Sequence, residues 1–146
     1  MRDYMKFIAD AMLGKLAKRM RLHGFDVLYD PALDDNAIIQ LSLKEGRTIL
    51  TRDAGLVSRP LAENHLMIDN DLVDEQLHQV MKTCSLCREV SLTRCSVCNG
   101  PLADLDRNVA RDLVPEHVYA ADIGFSICGN CGKVYWRGSH VRNMAG

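Results

Sequence analysis

Six cysteines in this 146-residue chain all lie after residue 83, and four of them fall into two Cys-x2-Cys pairs, Cys95/Cys98 and Cys128/Cys131, separated by 29 residues. Each pair can turn two thiolates toward one ion, and two such pairs make a four-cysteine structural zinc site. Gly100 with Pro101, and Gly129 with Gly132, supply the tight turns that this geometry requires. Four thiolates leave no open position on the ion, so it is expected to fold the chain around it and to do no chemistry. Cys84 and Cys87 form a third pair. They could displace 95/98 from the site, hold a second ion with His117 or His140, or remain as free thiols.

A different chemistry is suggested by aspartates. Asp10, Asp53 and Asp69 each follow an apolar run that reads as a strand, and Asp35 opens the helical segment before the third run. In a parallel sheet the carboxyl ends of the strands share one edge, so these acids would converge. Converging carboxylates repel one another unless some are protonated or a cation neutralises them. Oxygen-only ligands favour Mg²⁺ or Mn²⁺ over zinc. An ion held there suits phosphodiester hydrolysis, because it polarises the phosphate and lowers the pKa of an attacking water. Taken singly, Asp10 and Asp35 also read as helix caps and Asp53 as a turn former before Gly55. Recurrence at one edge of three strands is what favours the site.

The elements that must position these residues can be read from periodicity. Tyr4 to Ala9 is a short buried strand, and Met12, Leu13, Leu16, Ala17 and Met20 then repeat at helical spacing up to a stop at Gly24. Val27 to Tyr29 is a second strand, followed by a helix through Ala37, Ile38 and Leu41 that ends at Gly46. Thr48 to Thr51 is a third strand and Leu66 to Ile68 a fourth. Asp71 is placed to cap the last helix, which carries Val73, Leu77, Val80 and Met81 inward. This alternation predicts an α/β fold with a parallel sheet covered on both faces and an active crevice beyond the strand ends. Two domains are expected, 1–82 with its own apolar core and 83–146 dependent on metal.

The stretches FIADAMLGKLAKRMRLHGFDVLY and DDNAIIQLSLKEGRTILTRD resemble the PIN-like nuclease domain of the Mut-seven C-terminal RNase family, and RCSVCNGPL with CGNCGKVYWRGSHVRNM resembles that family's C-terminal zinc ribbon. The resemblance spans nearly the whole chain. It implies a metal-dependent endoribonuclease in which Asp10, Asp35 and Asp53 hold Mg²⁺ or Mn²⁺. Fuller PIN domains place a further acid on an intermediate helix for which there is no room here, and Asp69 or Asp71 could substitute. It further implies that the Thr51 hydroxyl orders the acids, and that Lys15, Lys18, Arg19 and Arg21 on the exposed face of the first helix contact RNA phosphates. Tyr135, Trp136, Arg137 and His140 could form a platform for bases and phosphate, or the aromatics could fill the ribbon's core.

Net charge of −1 names no partner. The start MRDYMKFIADAM, charged at positions 2, 3, 6 and 10, lacks a secretory apolar region, and no apolar run approaches membrane-spanning length. A cytoplasmic protein acting on RNA is therefore expected. Two other classes also fit the residues: a non-catalytic RNA- or ribosome-binding module, and a DNA-directed phosphodiesterase.

Overall fold

The computed structural model describes residues 5–86, 93–121 and 124–136. Four parallel strands form the first sheet: β1 (Lys6–Ala9), β2 (Asp26–Tyr29), β3 (Arg47–Thr51) and β4 (His65–Met67), in the order β2-β1-β3-β4. Side chains alternate across a strand, so successive apolar residues are divided between two cores. Phe7, Val27 and Leu50 face one core, shared with α1 (Gly14–Leu22) and α4 (Val73–Thr83). Ile8 and Ile49 face the other, which Ile38 and Ile39 of α2 (Asp35–Glu45) and Leu56 of α3 (Ala54–Val57) complete. Continuous apolar runs in β1 and β3 follow from this two-sided burial.

Helix ends are set where the sequence suggests. The Asp34 side chain caps α2 by accepting from Ala37 N, and Gly46 ends it in the left-handed region at φ 68°. Asp71 does not cap α4. The N-cap is Leu72, without a side-chain bond, and its N–H donates to Asn70 Oδ1 instead. Between β1 and α1 the chain makes a 3-10 turn, Ala11–Leu13, capped by Asp10. A Cβ on Gly14 would lie 2.8 Å from Tyr29 Oη, whose hydroxyl donates to Ala11 O. That close approach ties the end of β2 to the turn beside Asp10.

Residues 93–136 carry a second, antiparallel sheet of β5 (Leu102–Leu105), β6 (Phe125–Cys128) and β7 (Val134–Trp136), in the order β5-β6-β7. Two short helices, α5 (Arg107–Ala110) and α6 (Glu116–Ala120), interrupt the path from β5 to β6 and pack Ala110 and Val118 on Phe125. Neither was signalled by the sequence. The two sheets are stitched together by polar groups: Arg21 donates to the carbonyls of Ser96 and Val97, and Arg94 to Gly24 O. Asn99 accepts from Val27 N and donates to Asp26. Leu22 packs into the same cluster as Cys95, Cys128 and Tyr135.

Candidate functional site

The strand order places a topological switch point between β1 and β3. From β1 the chain crosses to β2 on one side, and the next crossover carries it to β3 on the other. Clefts form outside the carboxyl ends of strands at such a point. Asp10 and Asp53 flank it. Asp10 N donates to Leu50 O at 2.9 Å, so the β1–β3 pairing continues one residue past β1 and sets Asp10 opposite Thr51.

Thr51 connects the two acids. Its side chain is fully buried, its hydroxyl donates to Asp10 Oδ2 at 2.8 Å, and the same oxygen accepts from Asp53 N at 3.0 Å. Donor and acceptor capacity of one hydroxyl are thus both spent on ordering the edge. The structural roles read from sequence coexist with this arrangement. Asp10 Oδ1 accepts from Ala11 N at 2.7 Å, and Asp53 Oδ1 accepts from Gly55 N at 2.8 Å. Each carboxylate keeps one oxygen for its cap while the other points elsewhere.

Asp35 is the first residue of α2. Because α2 carries the chain from the end of β2 back to the start of β3, its N-terminus lies at the same edge as the strand ends. Asp34 does the capping, and the Asp35 carboxylate makes no hydrogen bond among the described residues. Asp69 belongs to the edge through β4. Ile68 N donates to Thr51 O at 2.8 Å, and Asp69 stands two residues past Met67 just as Asp53 stands two past its partner Thr51. Gln79 of α4 clamps it, accepting from Asp69 N and donating to Met67 O and, at 3.3 Å, to Asp69 Oδ2. Asp71 is exposed and lines a separate open groove with Met12 and Leu72.

The four cysteines Cys95, Cys98, Cys128 and Cys131 are positioned to hold a metal ion: their sulfurs all lie within 4.8 Å of one another. Among the described residues no group of aspartates is drawn together in this way. Cys95 Sγ lies 3.6 Å from Cys131 Sγ and Cys98 Sγ 3.3 Å from Cys128 Sγ. Tetrahedral coordination with Zn–S near 2.3 Å requires sulfurs about 3.8 Å apart, so the set fits zinc after small adjustment. Gly100 sits close against this cluster: a Cβ would stand 2.5 Å from Asn130 Nδ2, the end of an exposed side chain that can turn away, and in ordinary contact at 3.4 Å with Cys128 Sγ.

Tyr135 is fully buried beneath these sulfurs. Its hydroxyl lies 3.1 Å from Cys95 Sγ and accepts from Ser96 N at 2.9 Å. Of the two roles read from sequence for this aromatic, the ribbon core is the one it plays. Burial opposes a charge on Cys95, yet the Tyr135 hydroxyl and the N–H groups of Cys98 and Val97 hold the thiol down at about 6. Burial first, and then that bond to Cys95, pushes Tyr135 up to about 12. At Cys98 the Gly100 N–H favours the thiolate, but the neighbouring sulfurs outweigh it and push the thiol up to about 12. A site of four thiols that resists full ionisation on its own is one that a divalent cation completes. Cys84 ends α4 outside this cluster, its thiol pushed up by burial, and Cys87 lies outside the described residues. Among the described residues His117 is exposed and stands apart from the cluster.

The expected basic face of α1 divides into three. Lys15 and Lys18 are exposed. Arg19 is directed to α4, where both terminal nitrogens donate to Asp74 Oδ1, at 2.8 and 2.7 Å. Arg21 corrects the sequence reading. It is 3 % exposed, and donates to Val27 O at 2.9 Å, Ser96 O at 2.9 Å and Val97 O at 3.2 Å. Burial lowers its pKa, while the sulfurs of Cys95 and Cys98 and the Asp26 carboxylate act the other way. Its position four residues after Ala17 puts it on the buried stripe, so it holds the ribbon to the sheet and does not face solvent. Arg137 and His140 lie outside the described residues.

The chain matches the family model for the Mut7-C RNAse domain over residues 5–146. No curated protein and no solved structure matches it. Among the described residues no helix is long and apolar enough to cross a membrane.

Proposed function

The chain belongs to the Mut7-C RNAse domain family, and from that premise we propose that it is a metal-dependent endoribonuclease whose centre is Asp10, Asp35 and Asp53, with Asp69 as a fourth acid. The observation that carries this reading is the Thr51 hydroxyl, which bonds Asp10 and the Asp53 backbone at the switch point of the sheet. A buried threonine joining two strand-end acids has no packing purpose that valine would not serve as well. The donor set is all oxygen and suits Mg²⁺ or Mn²⁺. Such an ion, when bound, supplies charge to polarise the scissile phosphate and to activate water.

The chain's own residues have distinct parts in this scheme. Asp10 and Asp53 are held rigidly through Thr51 and their caps, whereas Asp35, whose carboxylate makes no hydrogen bond among the described residues, can turn toward an ion. Asp69 is steadied by Gln79. Lys15 and Lys18 offer ammonium groups to phosphates along α1, with Arg19 fixed beside them by Asp74. The cysteines hold zinc, and Arg137 and His140 of the ribbon add contacts to RNA.

Purified zinc-loaded protein is incubated with single-stranded RNA and with DNA of the same sequence, with and without Mg²⁺ or Mn²⁺. Internal cleavage of RNA that requires the added ion and disappears in Asp10→Asn and Asp53→Asn variants supports the reading. RNA binding that persists without the acids, with no cleavage by any variant, favours a non-catalytic RNA-binding module. Equal cleavage of DNA favours a general phosphodiesterase.

A further inference from the structure

Beside the acid edge, a groove of about 600 Å³ runs along the outer face of α2 and is closed by the segment that follows α3. Its α2 wall presents Asn36, Ile39, Gln40, Leu43 and Lys44, which recur at helical spacing and so form one face about 12 Å long. Its near end adjoins the site, since Asn36 directly follows Asp35. Leu43 and Leu61 are 59 % and 63 % exposed although both line the groove, so two large apolar side chains stand unpaired across it. Among the described residues the charged groups in its walls are both cations, Lys44 and Arg59.

The polar groups are arranged to act on a ligand. Arg59 Nη2 donates to Asn36 Oδ1 at 2.5 Å, which fixes the guanidinium against α2 and leaves the Asn36 amide nitrogen to donate. The remaining guanidinium donors of Arg59 and the Lys44 ammonium make no hydrogen bond among the described residues. Apolar plates, two amides and two cations without an acid suit a flat heteroaromatic ring with hydrogen-bonding edges that carries a phosphate.

We propose that this groove is a subsite for one nucleotide of the RNA strand, with the base between Leu43 and Leu61, its edge on Asn36 and Gln40, and its phosphate on Arg59 and Lys44. The identity of the ligand rests on the endoribonuclease reading. A nucleotide seated here lies a short distance along the strand from the phosphate at the acids. It would fix which bond is presented for cleavage, because phosphate contacts set register and edge contacts select the base.

The test is a ¹⁵N NMR titration of the zinc-loaded full chain, without added Mg²⁺ or Mn²⁺, using each of the four ribonucleoside 5′-monophosphates and, separately, inorganic phosphate. Saturable shifts confined to residues 36–44 and 59–61 are expected, stronger for at least one base than for the others. Arg59→Gln is expected to weaken that binding about tenfold, and Leu43→Glu to abolish it; both replace exposed side chains, and their spectra report directly whether the fold is kept. Shifts elsewhere, or binding unchanged in both variants, overturn the subsite. Phosphate that binds as tightly as the nucleotides also overturns it, leaving a simple anion site. A chain that cleaves RNA but shows no shifts in the groove refutes the subsite alone. One that binds nucleotides there but cleaves nothing refutes the nuclease reading and keeps the subsite.

Discussion

Replacing Thr51 with valine keeps shape and removes one hydroxyl. Two bonds go with it: the charge-assisted donation to Asp10 Oδ2 at 2.8 Å and the acceptance from Asp53 N at 3.0 Å. A bond to a charged group contributes roughly 1.5–3 kcal/mol and a neutral one about 1 kcal/mol. Water can reach the half-exposed Asp10 carboxylate and recover part of the first term, so a net loss of about 2 kcal/mol in the order of the site is expected. If that order is needed when the phosphate reacts, single-turnover cleavage falls about thirtyfold, since about 1.4 kcal/mol is a factor of ten. The concentration of Mg²⁺ or Mn²⁺ at half-maximal rate should rise as well. Thr51→Ser keeps the hydroxyl and loses a buried methyl, costing about 1 kcal/mol of stability. Its cleavage rate should stay within about threefold of the parent. Cleavage lost in Thr51→Val but kept in Thr51→Ser, although both variants are destabilised, separates a positioning hydroxyl from a packed side chain. Cleavage by Thr51→Val at the parental rate, with an unchanged metal requirement, would refute the reasoning.

Arg21→Ala should cost about 3–5 kcal/mol, because two buried carbonyls and one part-buried carbonyl lose their donor, and so lower the unfolding midpoint by about 10 °C in thermal denaturation. Removing zinc with a chelator, or replacing Cys128 with Ser, should unfold the ribbon and free Asn99 from β2; faster hydrogen exchange at the Val27 amide, which Asn99 Oδ1 now accepts, is the readout. Burial disfavours the Asp26 carboxylate, but the bonds from Arg47 and Asn99 outweigh it and lower its pKa. Its contribution is therefore present above the unfolded value near 3.9 and is lost as pH falls through the lower folded value. Asp26→Asn should flatten the acid limb of a stability–pH curve measured by urea denaturation.

Much of the fold was legible because the physics is local. Phe7, Ile8 and Ala9, and likewise Ile49 and Leu50, are apolar on successive residues, and short runs of that kind fit strands buried on both faces. The placement of Asp10, Asp53 and Asp69 at strand ends was legible because each follows an apolar run. Their connection through Thr51 came from the family resemblance, since a threonine in a strand otherwise reads as β-branched filler. Arg21 was misread for an instructive reason. In sequence it extends the cluster Lys15, Lys18, Arg19, yet its spacing from Ala17 and its neighbour Met20 already place it on the inward stripe. What the sequence could not supply is the set of ribbon carbonyls, some 75 positions along the chain, that make a buried guanidinium tolerable. The short helices α5 and α6 lie between the two knuckles, where four- and five-residue elements leave too little periodicity to detect.

Catalysis by the strand-end aspartates is tested most directly by cleavage of a labelled single-stranded RNA by zinc-loaded protein across a titration of Mg²⁺ and Mn²⁺. Internal cleavage that rises with the added ion and is lost in Asp10→Asn and Asp53→Asn proteins of parental stability is the predicted result. RNA cleaved equally by those variants, or left intact by the parent at every concentration of either ion, would contradict it.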